Sequence, residues 1–101
     1  MVSVYEVVGQ DGRPLKSAIL IHPGEILEDE LEARELKKSV FAMDNRIYPS
    51  HLSDILKGRR NISAAIALKL EKALDIEAAF WMRLQVDYDL ATEREKMAVV
   101  V

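Results

Sequence analysis

The stretch Lys38-Ser39-Val40-Phe41-Ala42-Met43-Asp44-Asn45-Arg46-Ile47-Tyr48-Pro49-Ser50-His51-Leu52-Ser53-Asp54-Ile55-Leu56-Lys57-Gly58 decides the fold. Lys38 to about Asp44 predicts a short helix with Val40, Phe41 and Ala42 as its apolar residues. Tyr48-Pro49-Ser50 opens another, because proline suits a first helical turn, where a missing N–H leaves nothing unpaired. Leu52, Ile55 and Leu56 then repeat at helical spacing, and Gly58 stops the helix with Lys57 in its last turn. About four residues around Asn45 to Tyr48 join the two. Helices joined by so short a turn can cross steeply, which leaves the outer face of the second exposed.

Working outward, His22-Pro23-Gly24-Glu25 begins an earlier helix, with acid in the first turn where the helix dipole favours it. Ile26, Leu27, Leu31 and Arg34 continue one face of it. Before it, Val2, Val4, Tyr5, Val7 and Val8 form a β-branched run, Asp11-Gly12 a turn, and Ala18 to Ile21 a second strand-like run. After Gly58, Ser63 can cap a helix carrying Ile66, Leu70, Ala73 and Leu74 on one side. Asp75 or Glu77 opens a last helix through Phe80, Trp81, Leu84, Tyr88 and Leu90. Phe80 and Leu84 read as core, whereas Trp81 and Tyr88 divide between core and a dimer contact. Val99-Val100-Val101 is β-prone and apolar, and fits either a disordered end or an added strand. The expectation is an all-α domain of five helices preceded by a short β-hairpin or extended arm. Residues 1–21 form the arm, 22–75 the helical core, and 76–101 the last helix and tail of the same domain.

The chain has 101 residues, half of them hydrophobic, enough for one core. It lacks cysteine, which rules out disulfides and fits a reducing compartment. No run approaches the roughly 20 apolar residues of a membrane span, and residues 1–14 do not resemble a signal peptide. The expected location is therefore cytoplasmic. His22 and His51 are the only histidines, too few companions for a zinc-type site. No nucleophile–base pair or phosphate loop is visible, so neither an enzyme nor a bound cofactor is expected.

Net charge is −3, yet its distribution is uneven. Residues 22–33 hold five acids and no Lys or Arg, while 34–60 hold seven bases against three acids. The middle of an acidic molecule thus carries a local footprint for a polyanion. A steeply crossing second helix can enter the major groove of double-stranded DNA with its first residues toward base edges. Those are Pro49, Ser50 and His51, with Asp54 and Lys57 one and two turns on. Ser and His can hydrogen-bond bases, and Asp54 can accept from cytosine N4. Lys37 and Lys38 before it, Arg46 in the turn, and Arg59 and Arg60 after it are the phosphate candidates. Charge alone fits an ordinary helical hairpin with a solvated basic face equally well. Glu28-Asp29-Glu30 reads as a solvated helix face, or as one opposing a basic protein.

His22-Pro23-Gly24-Glu25-Ile26-Leu27, Phe41-Ala42 and the run Pro49 to Ser63 (PSHLSDILKGRRNIS) together resemble the HigA-type antitoxins. These belong to the lambda-repressor-like (XRE) helix-turn-helix family. Ala67 to Leu74 and Phe80 to Leu90 (FWMRLQVDYDL) extend the resemblance to about Lys96. It implies a protein that neutralises a cognate toxin, a ribosome-dependent mRNA interferase, and represses its own operon as a homodimer. It places Pro49, Ser50, His51, Asp54 and Lys57 on the recognition helix, and Lys37, Lys38, Arg59 and Arg60 at backbone-contacting positions. One departure stands out. Similar proteins end the second helix with Leu-Gly, where this chain has Asn45-Arg46. A buried Asn without partners would cost roughly 1–3 kcal/mol, and Arg is unfavourable at positive φ. Either the turn is rebuilt, with Asn45 as the left-handed residue, or the helix ends early. Two other readings remain at this stage: a toxin-binding module with weakened DNA binding, and a transcription regulator without a toxin.

Overall fold

A computed structural model describes residues 20–99 of the chain. Within them five helices follow one another and no strand occurs: α1 Pro23–Ala33, α2 Lys38–Asp44, α3 Pro49–Leu56, α4 Ala64–Leu74 and α5 Ala78–Val99. The hairpin or arm expected over residues 1–21 lies almost wholly outside the described residues, as do Val100 and Val101 of the tail.

The core gathers one face of each helix. Leu27 and Leu31 come from α1, Phe41 and Ala42 from α2, and Leu52, Ile55 and Leu56 from α3. Ile66, Ala67, Leu70 and Leu74 come from α4, Trp81 from α5, and Ile47 and Ile62 from the connections. Full burial of a Leu or Ile stabilises by about 1.5–3 kcal/mol, so this shared face outweighs any single polar contact. Val40, expected with the apolar set of α2, stays half exposed, because successive helical positions turn too far for all three to face inward. On α5, Trp81 is the completely buried residue, while Phe80 and Leu84 pack beside the core only partly buried. Burial of Trp81 takes its ring off the surface and out of reach of a dimer contact.

Caps define the helix ends. Ser63 accepts from the Ile66 N–H at 3.2 Å and starts α4. Asp75 does not open α5: it ends α4 in the left-handed conformation (φ 59°) and donates its N–H to Glu71. Glu77 contributes its carbonyl, which accepts from Phe80, and the Glu71 carboxylate reaches across to the Ala78 N–H at 2.9 Å. An acid at the end of one helix thus caps the next. Gln85, buried on α5, accepts the Ile62 N–H at 2.7 Å and donates to Asp89, which fixes the α3–α4 connection to α5.

The start of α1 is the tightest junction. The His22 Nδ1 accepts the Gly24 N–H at 2.9 Å, and the Glu25 carboxylate accepts the His22 N–H at 3.2 Å. The buried imidazole meets Tyr88 of α5 in a T-shaped contact, with centroids 4.8 Å apart, and Gly58 lies beside it. Gly24 lies directly against the Ile55 carbonyl of α3, where a Cβ would collide with backbone. Gly24→Ala is therefore expected to destabilise by at least ~2 kcal/mol, since the obstacle cannot rotate away. Urea unfolding that gives wild-type stability would show that α1 can move aside.

Burial holds the His22 pKa below its ordinary value, against the weaker opposite pull of Glu25 and Asp89. The unfolded chain then takes up the proton first as pH falls. The stability linked to the neutral ring is complete above the unfolded pKa and is lost as pH drops through the folded one. Protonation of Nδ1 also removes the acceptor that caps α1. Between about pH 7 and 5, wild-type stability should fall more steeply than that of His22→Asn, which keeps a capping oxygen but does not titrate. Parallel profiles would remove His22 as the source.

Candidate nucleic-acid interface

The α2–α3 turn is rebuilt around the Asn45-Arg46 pair. Asn45 keeps φ at −107° and turns its side-chain amide back onto the Phe41 carbonyl at 2.8 Å, so the half-buried amide is paired. The left-handed residue is Arg46, at φ 56°, and not Asn45. The Ile47 N–H returns to the Ala42 carbonyl at 2.8 Å, and its side chain enters the core. An exposed Arg46 side chain escapes the crowding that makes this conformation worst for branched residues.

Leu52, Ile55 and Leu56 hold α3 against the body. On its other side Pro49, Ser50 and Lys57 are exposed, and His51 and Asp54 are half-buried. Ser53 shares this side at i+3 from Ser50; it was missing from the sequence-derived set although helical spacing points to it. Tyr48, also missed, precedes the helix at 79% exposure and offers no side-chain cap to its first amides.

Electrostatic contacts sort the cations. The Arg59 guanidinium is 4.0 Å from Asp54, and Arg60 and Asp54 both act on His51. Lys69 of α4 joins them, donating to the Arg46 carbonyl at 2.8 Å. His51, Asp54, Arg59, Arg60 and the Arg46 turn therefore belong to one cluster, with Lys57 exposed at the helix end. Lys37 is exposed at the start of α2, whereas Lys38 is drawn to Glu28 of α1 at 3.3 Å. Glu30 pairs with Arg34 at 3.1 Å, so two acids of the α1 run serve internal ion pairs. Each exposed pair contributes little, about 0–1 kcal/mol. Tyr88, half-buried, makes a T-shaped contact with His22.

No family model matches the chain. It is 35% identical over 81 residues to virulence-associated protein I of Dichelobacter nodosus, covering 78% of this chain and 75% of that one. A solved addiction module antidote protein of the HigA family from Coxiella burnetii is 35% identical. Its TM-score is 0.74, with 78% of this chain and 87% of that one covered. The Pseudomonas aeruginosa antitoxin HigA, solved with the higBA promoter, is 38% identical at TM-score 0.74, covering 77% and 86%. The chain belongs to the HigA antitoxin family. Members of this family share the five-helix arrangement described above, and here it carries an arginine in the left-handed position of the turn.

Among the described residues, no group of His, Asp or Glu is placed to hold a metal ion, and no helix is long and apolar enough to cross a membrane. Burial first, then Arg60 and Lys69, lower the His51 pKa, with Asp54 opposing. The shift favours the neutral ring, which has one donor and one acceptor to offer. Arg60→Gln should raise the His51 pKa in an NMR titration; an unchanged midpoint would place Arg60 too far away to act.

Proposed function

We propose that this HigA-family chain is an antitoxin that neutralises a cognate mRNA-cleaving toxin and represses its own operon by binding operator DNA as a homodimer. The observation that carries the reading is the exposed outer side of α3, flanked by cations, in a fold shared with a HigA solved with promoter DNA. Ser50, His51, Asp54 and Lys57 would meet base edges, with Pro49 fixing the entry of the helix. Lys37, Lys38, Arg46, Arg59 and Arg60 would meet phosphates. Lys38 reaches DNA only by leaving Glu28, so its share is the smallest of the five.

Residues 22–75 would carry the DNA contact and 76–101 the contact with a second copy. Exposed Val86 and Leu90 suit that role better than buried Trp81. The toxin is the catalyst of the pair, and this chain acts by binding alone. Antidote relatives in solved structures support that division.

Fluorescence anisotropy with promoter and scrambled duplexes at several salt concentrations tests the DNA half. Affinity for the promoter should fall steeply with salt, and Arg59→Gln should lower the log–log slope by about one for each protomer bound, while weakening both duplexes alike. Ser50→Ala should weaken the promoter alone, by roughly tenfold. Equal affinity for both duplexes in the wild type would end the autorepressor reading. Toxin neutralisation is tested separately, by co-expressing the chain with the reading frame beside its gene and scoring growth.

A further inference from the structure

Arg46 holds a backbone conformation that suits glycine, and the turn around it is secured from both sides. Asn45 ties back to Phe41, Arg46 to Met43 and Ile47 to Ala42, all within the α2–α3 unit. The Arg46 carbonyl is held from elsewhere: Lys69, on α4 and 23 positions away, donates its ammonium to that oxygen at 2.8 Å. Lys69 is half-buried, and its hydrogen bond to that oxygen lies at the surface. The ammonium therefore sits beside the entry of α3, close enough for its charge to act on His51.

We infer that Lys69 is a positioning residue for DNA reading rather than a phosphate ligand: it clamps the Arg46 turn in the left-handed conformation and so sets the approach of α3. The inference rests on the DNA-binding reading of α3. Two consequences follow from the geometry. A lysine whose ammonium donates inward to a carbonyl does not count among the phosphate contacts, although its charge belongs to the same basic cluster. The clamp also lets residue 46 be an arginine. Glycine would adopt φ 56° unaided, but would bring no cation to the turn; Arg46 brings one, and Lys69 holds the backbone that presents it.

The test is a double-mutant cycle of wild type, Lys69→Met, Arg46→Gly and the double variant, with Lys69→Arg as the conservative control. Methionine keeps an unbranched stem in place and removes only the charged donor. Each protein is titrated against promoter and scrambled duplexes across a salt series. Lys69→Met should weaken promoter binding by about tenfold, the loss of one charge-assisted hydrogen bond, with the salt slope unchanged. Lys69→Arg should retain binding. In the Arg46→Gly background, Lys69→Met should cost less than about twofold, because glycine does not need the clamp. Arg46→Gly by itself should lower the slope by about one for each protomer bound.

Three outcomes of the titrations overturn the inference while leaving α3 as the reader of DNA. One is a slope lowered by about one per protomer in Lys69→Met, which would make Lys69 a phosphate ligand. Another is an equal loss in both backgrounds, and the third is no loss in either. A wild type that does not prefer the promoter overturns the DNA reading and the positioning role together. Amide NMR signals of Arg46 and Ile47 guard against a folding artefact. In Lys69→Met they should shift while those of Trp81 and Gln85 do not, and a shift throughout would also overturn the clamp.

Discussion

The whole arrangement hangs on the absence of a side chain at position 24. Gly24 lets the first turn of α1 lie against the Ile55 carbonyl near the end of α3. That approach fixes the recognition-helix candidate from behind, and the His22 cap braces it: the imidazole accepts from Gly24, rests on Tyr88 and borders Gly58. Three helices meet at one small junction, and each contact there limits the freedom of another. A cap elsewhere on the surface would contribute only to its own helix. Here the cap also braces α3, whose inner face is set by Leu52, Ile55 and Leu56 and whose other face turns outward.

Electrostatics explain how a chain of net charge −3 can present a basic surface. The acids of α1 draw off part of the neighbouring positive charge, through Glu28 to Lys38 and Glu30 to Arg34. Nearer the end of α3, the Arg59 guanidinium lies 4.0 Å from Asp54. At physiological salt, fields from more distant acids are screened within about 8 Å, so the local cluster matters more than the net charge. Acidity elsewhere keeps the rest of the surface from binding polyanions indiscriminately.

Much of this was legible in local sequence because caps and helical spacing act over three or four residues. Pro23, Pro49, Ser63 and Gly58 marked helix ends, and the apolar residues of α1, α3 and α4 fell where their spacing put them. The features that escaped depend on contacts distant in sequence or on choices among near neighbours. Gln85 and Lys69 each reach a backbone group 23 positions away, and no spacing rule announces such a bond. Trp81 outranks Phe80 and Leu84 in burial because of where α4 lies, which the pattern of α5 does not contain. Asp75 could cap the start of α5 or end α4, and the left-handed residue that lets the chain reverse took precedence. The site was legible as a face of α3 and a set of cations; which cations join the cluster was not, since Lys38 turns to α1.

The Asn45-Arg46 turn shows why a departure from a family pattern need not weaken the function the pattern serves. Leu-Gly solves two problems at once, filling the core and permitting positive φ. This chain separates them. Ile47 fills the core, Asn45 pairs its amide with Phe41, and Arg46 takes the left-handed conformation with its carbonyl held by Lys69. The cost of a non-glycine residue there, roughly 1–2 kcal/mol, is comparable to what one or two such hydrogen bonds return. Near-balance in stability leaves a difference in surface, because a cation now stands where the pattern has none. On the proposed reading, the position of the turn beside α3 would bring that cation to DNA. A turn of this composition is thus rebuilt with its polar groups paired, and it differs from the pattern chiefly in the charge it exposes.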